Sequence, residues 1–377
     1  MLSEKLVIDF VNKNTDRLYE TLKALCAIPA PSHHEGKRAE YCKNWLEEIG
    51  AKGVYIDSAL NVVFPINCDG KTNITVIAAH TDTVFPDTAP MPVIDDGDKI
   101  YSPGAGDDTA QLTVMLLAAK FFVEHDIRPE DGLLIVCNSC EEGLGNLKGT
   151  RQIFKDFEGR IKQFVSFDSN FSYIADTSVG SHRYEVSAFT KGGHSFGSFG
   201  NTNAIAKLAE IINKIYEIEL PHVGNSKTTY NVGTISGGTS VNTVAQNATM
   251  LCEYRSDNLE CLEIMEKKFF EIFSSVQSDE CSIEVNKVGD RPCGNIPPEA
   301  LEHLKNVCKR NIERIVGCEV VFTQSSTDCN IPLSLGIPAV CMGVIRSSGA
   351  HTREEWVDKA SMVTGLRLAI EIMLDLI

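Results

Sequence analysis

The sequence predicts an α/β protein: a mostly parallel, doubly wound sheet into which a second, α+β domain is inserted. Three observations carry this reading. Over the first 180 residues, short apolar and β-branched runs alternate with stretches of helical spacing, the pattern of βαβ units. Between residues 181 and 292 the strands become half-exposed alternations, in the order strand, helix, strand, strand, helix, strand. That order suits a small domain with a one-sided antiparallel sheet. After Pro292 the first pattern returns, so residues 1–180 and 293–377 are expected to form one domain around an insert at 181–292. A chain of 377 residues is also longer than a single compact domain usually is.

The elements follow in order. Residues 3–29 and 38–49 have helical spacing, and Gly50 stops the second helix. Ile74-Thr75-Val76-Ile77-Ala78-Ala79 is a buried-strand run that delivers His80. Residues 109–125 read as a helix that opens directly after Asp107-Asp108. A strand at 133–139 delivers Glu141-Glu142, and a short one at 163–167 delivers Asp168. Within the insert, strands are expected at 183–190, 229–235, 247–254 and 281–287, with helices at 203–216 and 258–275. A helix at 298–315, a strand at 338–343 and a helix at 359–376 complete the chain.

Composition narrows the partners. A net charge of −16 disfavours nucleic acid, whose phosphates need a basic surface, and disfavours an anionic membrane as well. No run approaches the roughly 18–20 apolar residues of a membrane span. Met1-Leu2-Ser3-Glu4-Lys5 leads into an amphipathic helix and lacks the basic and apolar regions of a signal peptide, so a cytoplasmic location is expected. Thirteen cysteines, an odd number without framework spacing, fit reduced thiols. Cys137 and Cys140 have the spacing of a redox or zinc-ribbon pair. No second pair exists, and Leu133-Leu134-Ile135-Val136-Cys137 reads as a buried strand, so they are expected to be core thiols.

Five segments bring metal-binding residue types: His80-Thr81-Asp82, Gly106-Asp107-Asp108, Glu141-Glu142, Phe167-Asp168 and Ala350-His351. Carboxylates and imidazoles in this proportion are what a pair of zinc-like ions takes as ligands. Several of the segments follow strand runs, and active sites of open α/β sheets form where strands end. Alone, a histidine at a strand end or a Glu-Glu pair is more often structural; the combination carries the inference. Asp82 stands close enough to His80 to hold its other ring nitrogen. Glu141 and Glu142, pointing different ways, allow one to bind metal while the other stays free as a base.

In this order the motifs resemble the M20 metallopeptidases, the cocatalytic-zinc group that includes peptidase T-like aminopeptidases, glutamate carboxypeptidases, aminoacylases, and succinyl-diaminopimelate and acetylornithine deacylases. Ala79-His80-Thr81-Asp82-Thr83-Val84 is similar to the family's first metal motif and Gly104-Ala105-Gly106-Asp107-Asp108 to its bridging-aspartate motif. Cys140-Glu141-Glu142-Gly143 is similar to the motif of base plus ligand. The resemblance implies two divalent ions, zinc by default, with cobalt or manganese admissible. It implies His80 and Asp168 on one ion, Glu142 and His351 on the other, and Asp107 between them. Asp82 would orient His80, and Glu141 would be the general base acting on a water between the metals. Asp328 matches a family position near the last ligand. Thr109 departs from the family's common Lys, and its hydroxyl is expected to cap the following helix.

The insert continues the likeness. Thr190-Lys191-Gly192-Gly193-His194-Ser195 and Gly200-Asn201-Thr202-Asn203-Ala204-Ile205 resemble the lid, or dimerisation, domain of the family, without the proline the family carries between them. The resemblance implies that His194 donates to the developing oxyanion, in dimeric members from the partner subunit. Asn242, in Gly237-Gly238-Thr239-Ser240-Val241-Asn242, and Arg255 resemble substrate contacts. A guanidinium suits a carboxylate, but an ordinary ion pair suits Arg255 equally. Gly289-Asp290-Arg291-Pro292 is expected to be a return hinge. The implied activity is amide hydrolysis on small peptides or N-acyl amino acids. An aminopeptidase of the peptidase T type ranks first, because Asp168 stands where deacylase branches more often have Glu. A deacylase ranks next, then a carboxypeptidase, and last a non-catalytic metal-binding homologue. A homodimer through the lid domain is also expected.

Overall fold

The computed structural model describes residues 4–294 and 296–377; the expected helix start at Ser3 falls outside them. The chain divides into two compact units. One runs to Ser178 and resumes beyond Gly294, and the other is Val179–Gly294.

The first unit is built on an eight-stranded sheet in the order Tyr55–Ile56, Val62–Ile66, Gly132–Asn138, Ile74–His80, Ile161–Phe167, Ala339–Met342, Tyr173–Ser178, Val321–Ser325. Its centre is parallel: Ile74–His80 pairs in parallel with both Gly132–Asn138 and Ile161–Phe167, and Ala339–Met342 pairs in parallel with the latter. Every residue of Ile74–His80 and Gly132–Asn138 is buried, as a strand covered on both faces must be. Alternate side chains serve opposite cores. Ile77, Ala79, Ile135 and Cys137 join a cluster with Leu18, Leu116 and Leu366 of the helices Glu4–Cys26, Ala110–Glu124 and Lys359–Asp375. Val76, Ala78, Leu134 and Val136 join another with Ile153 and Phe154 of the helix Lys148–Asp156. Helices on both faces make the sheet doubly wound. The helix Ala110–Glu124 is buried nearly all round and is correspondingly mostly apolar, without a polar face.

Several elements have no counterpart in the sequence reading, the helix Lys148–Asp156 among them. Tyr173–Ser178 and Val321–Ser325 are half-polar, and Val62–Ile66 contains a proline. A small sheet of Ser347–Ser348, Trp356–Asp358, Lys99–Tyr101 and Ile94–Asp95 is too short to show a period.

The second unit has a four-stranded antiparallel sheet in the order Thr228–Gly237, Asn247–Ser256, Gly180–Thr190, Cys281–Arg291. Tyr184, Val186 and Ala188 alternate into its core, where the helices Ala204–Tyr216 and Leu259–Ser275 cover one face. Asn203 and Asn258 cap those helices: the Asn203 side chain accepts the N–H groups of Ile205 and Ala206, and that of Asn258 accepts Cys261. Gly289, Asp290 and Arg291 pair with Arg183, His182 and Ser181, so the stretch expected as a hinge is ladder up to Arg291, with its glycine at a register shift. None of the thirteen cysteines is in a disulfide. Among the described residues no helix is long and apolar enough to cross a membrane.

Candidate metal centre

Parallel strands bring the chemistry to one edge of the sheet. His80 ends its strand opposite Asn138, so Ser139 to Glu142 leave at the same edge. Phe167 ends the neighbouring strand, and the Asp168 N–H donates to Met342 O at 2.9 Å. The chain beyond Met342 then reaches His351 through the small sheet.

The side chains converge. His80 Nε2 lies 3.0 Å from Asp107 Oδ1, and His351 Nε2 lies 3.2 Å from Asp107 Oδ2 and 3.2 Å from Glu142 Oε1. Among the described residues, three sets of candidate ligand atoms each fall within 4.8 Å of one another: His80 with Asp107 and Asp168, Asp107 with Glu142 and His351, and His80 with Glu141 and Glu142. Asp107 sits where the chain breaks before the helix Ala110–Glu124, at φ −112° and ψ 91°. His80 is buried, whereas the His351 side chain is 56% exposed.

Burial opposes charge on His80, but Asp108 and then the hydrogen bonds to Asp107 and Asp82 outweigh it and raise its pKa. Hydrogen bonds to Asp107 and Glu142 lift His351 to about 10. Burial works against the Asp107 carboxylate, yet the two imidazoles hold its pKa below the usual range. Burial, then Asp107, push Asp168 up to about 7. These directions describe a pocket with more carboxylate than its imidazoles offset. The donor set fits divalent cations. The His80 ring has its Nδ1 3.0 Å from the main-chain carbonyl of Asp82, which leaves Nε2, facing Asp107, as the nitrogen that could bind a cation.

Around the cluster, carboxylates accept main-chain N–H groups of the segments that carry the candidate ligands. Asp82, expected to orient His80, has its carboxylate 3.5 Å from Nδ1, farther than its own carbonyl. That carboxylate mainly accepts the N–H groups of Glu141 and Glu142, both at 2.9 Å, and the Ser32 hydroxyl at 2.6 Å. Glu35 accepts the Cys140 N–H at 3.0 Å and its thiol at 3.1 Å, while burial and then Glu35 push that thiol up to about 12. Asp108 accepts the His80 N–H at 2.9 Å. Asp328 is buried and accepts from Asn138 and Thr150.

Thr109 does not cap the helix. Its hydroxyl donates to Gly104 O at 2.6 Å and accepts from Arg38 Nη1 at 3.2 Å, being turned inward where no helix N–H is presented to it. The fully buried Arg38 also donates to the carbonyls of Leu25, Ile28 and Thr81. Glu35 and Arg38 escaped the sequence reading, as did Glu355, whose buried carboxylate accepts the N–H groups of Gly104, Gly106 and Asp107. Each stands in a charged stretch that resembles a solvated face, and nothing in its spacing marks it as buried.

The remaining candidates lie in the second unit. His194 pairs with Thr243 in a two-residue antiparallel ladder, and Ser195 donates to Asn242 O at 2.9 Å, so His194 and Asn242 lie side by side. His194 is exposed, and its Nδ1 accepts the N–H groups of Phe196 at 3.2 Å and Gly197 at 3.3 Å. Asn242 Oδ1 accepts from the Ser240 hydroxyl. Arg255 donates twice to Glu253, at 2.8 and 3.1 Å, and Arg183 donates to the same carboxylate.

Comparisons agree with this geometry. The sequence profile of the peptidase family M20/M25/M40 matches residues 76–375. A succinyl-diaminopimelate desuccinylase of Corynebacterium glutamicum is 25% identical over 350 residues, 88% of this chain and 89% of its own. In fold, the chain is similar to the aminopeptidase PepT of Bacillus cereus, with a TM-score of 0.74 at 22% identity, over 96% of this chain and 99% of that one. It is similar also to the YXEP protein of Bacillus subtilis, described as a dinuclear metal-binding peptidase of family M20. There the TM-score is 0.65 at 14% identity, over 96% and 99% of the two chains. With the profile spanning most of its length, the chain belongs to the peptidase family M20/M25/M40.

Proposed function

We propose that this metal-dependent hydrolase of peptide or amide bonds is an aminopeptidase of the peptidase T type, acting on small peptides at a two-cation centre. The observation that carries the two-cation reading is Asp107, whose two oxygens face two different imidazoles. We assign His80 and Asp168 to one cation, Glu142 and His351 to the other, and Asp107 between them. Zinc suits this set best, and its carboxylates also admit cobalt or manganese. Held there, the cations would supply Lewis acidity toward the scissile carbonyl and a lowered pKa for water.

The chain's own residues do the rest. Glu141 lies within reach of His80 and Glu142 but outside the assigned ligand set. Its carboxylate takes the proton of the attacking water and passes it to the leaving amine. Asp82, bonded to the N–H groups of both glutamates, fixes their main chain so that one points at metal and the other at water. In His194, two N–H groups on Nδ1 place the proton of a neutral ring on Nε2, leaving Nε2–H to donate to the oxyanion. Asn242 lies beside His194 across the short ladder and contacts substrate next to it. Arg255 binds a substrate carboxylate in competition with Glu253, so its loss acts on KM alone.

A homodimer through the second unit is part of this proposal. Phe196 and Phe199, in the segment that follows His194, and Val241, next to Asn242, are 89%, 91% and 101% exposed, and large apolar side chains grouped at a surface suit a partner. Thirteen cysteines, none in a disulfide, suit a reducing compartment such as the cytoplasm.

The desuccinylase relative favours a deacylase as the second reading. A panel of di- and tripeptides with free N-termini, N-acyl amino acids and N-blocked peptides, assayed for released amine with added Zn²⁺ or Co²⁺, separates the readings. Turnover of free peptides alone is expected. Turnover of N-acyl amino acids alone makes the enzyme a deacylase, and cleavage of N-blocked peptides makes it a carboxypeptidase.

A further inference from the structure

Glu355 is fully buried, and its carboxylate ends on three main-chain N–H groups. Oε1 accepts from Gly106 at 2.8 Å and Asp107 at 2.7 Å, and Oε2 accepts from Gly104 at 2.8 Å. These N–H groups lie at and just inside the start of the helical stretch that leads into Ala110–Glu124, where no helical carbonyl is available to them. The Glu355 carbonyl accepts in turn from Ser102 N–H at 3.1 Å. Glu355 directly precedes the strand Trp356–Asp358, four residues beyond His351, so one carboxylate ties the His351 segment to the Asp107 loop. The approach is close: a Cβ on Gly106 would come within 2.4 Å of Ser347 Cβ and 3.0 Å of Glu355 Oε1.

We propose that Glu355 is a positioning residue that sets the affinity for both cations by fixing the main chain beneath Asp107. This rests on the two-cation reading above. A carboxylate shared by two ions must aim both oxygens at once, so a small rotation of its backbone weakens both sites together. Three charge-assisted bonds to one buried carboxylate suppress that rotation. In Glu355→Gln one oxygen becomes an NH₂ group that meets N–H donors, and at least one bond to the loop is lost. Partners of this kind typically govern metal affinity by about 10–100-fold. Gly106→Ala strikes the same contact from the other side.

The test is a calorimetric titration of chelator-stripped full-length protein with Zn²⁺ alone. It is run on wild type, Glu355→Gln, Glu355→Asp and Gly106→Ala, with the melting temperature of each metal-free protein and the visible spectrum of each Co²⁺-loaded one. Wild type is expected to take two ions. Glu355→Gln is expected to weaken both binding steps by about 10–100-fold and to alter the Co²⁺ spectrum, with the metal-free melting temperature close to wild type. If Glu355→Gln fails to fold, Glu355→Asp, which keeps the charge on a stem one methylene shorter, gives the same reading. Unchanged affinities in these variants overturn the proposal, and so does weakening of one step only, since that would be a local effect on His351. A wild type that binds fewer than two ions removes the two-cation reading itself, and this proposal with it.

Discussion

At Asp107 one carboxylate oxygen lies 3.0 Å from the His80 ring and the other 3.2 Å from that of His351. If Asp107 is shared, Asp107→Ala costs both ions, whereas His80→Ala and His351→Ala cost one each. Metal content after gel filtration distinguishes these, and an Asp107→Ala protein that keeps one ion at wild-type affinity contradicts sharing. His194 makes a separate demand. Its Nε2–H is set up as a donor by the two N–H groups on Nδ1. His194→Ala is therefore expected to lower kcat by about 10²–10³-fold while leaving metal content unchanged. An unchanged kcat removes His194 from the reaction. Legibility at this scale has a clear limit. Residues that can bind a metal or act as a base beside one advertise themselves by type, and several by position after a strand, so the candidates His80, Asp107, Glu141, Glu142, Asp168 and His351 stand out together. Glu35 and Glu355 meet main-chain N–H groups, whose positions depend on loop paths that no spacing announces. The inward turn of Thr109 depends on Arg38, more than seventy residues away, and was equally hidden.

Among the elements, the fully buried parallel strands were the easiest to read, because burial on both faces demands an unbroken apolar run. Strands such as Tyr173–Ser178 and Val321–Ser325 are half-polar, and their periods vanish into those of loops. The antiparallel sheet of the second unit offers a test of its own. His182 is buried against Tyr254, with Nδ1 2.6 Å from the tyrosine oxygen. Burial, then Lys287, hold its pKa below the ordinary value, against the opposing pull of Asp290 and Glu266. A histidine depressed in the folded state adds stability that is complete above its unfolded pKa of about 6.5 and is lost as pH falls below it. The urea midpoint of wild type is therefore expected to drop between about pH 7.5 and pH 5.5 by more than that of His182→Gln. Equal drops in the two proteins would show that His182 is not responsible.

For the whole molecule, the division into units puts the candidate ligands in one and His194 in the other. Catalysis as proposed needs both, with His194 supplied from its own chain or from a second copy. Mixing inactive His194→Ala with inactive Glu141→Gln protein separates these routes. In a dimer with exchange in trans, one site of each hybrid holds both good residues and activity returns. A protein that stays monomeric and shows no recovery restricts His194 to its own chain. The exposed Phe196, Phe199 and Val241 bear on the same point, and replacing them by Ser is expected to weaken self-association in sedimentation experiments.

The central claim is that two cations and a carboxylate base hydrolyse an amide bond, and Glu141→Gln tests it most directly. Metal content and turnover are to be measured on the same sample. Gln keeps the shape of the side chain and its main-chain bond to Asp82, but it cannot take the proton of water. The account predicts two ions per chain, as in wild type, and turnover lowered by about 10²–10⁴-fold. Two bound ions with wild-type turnover would contradict it.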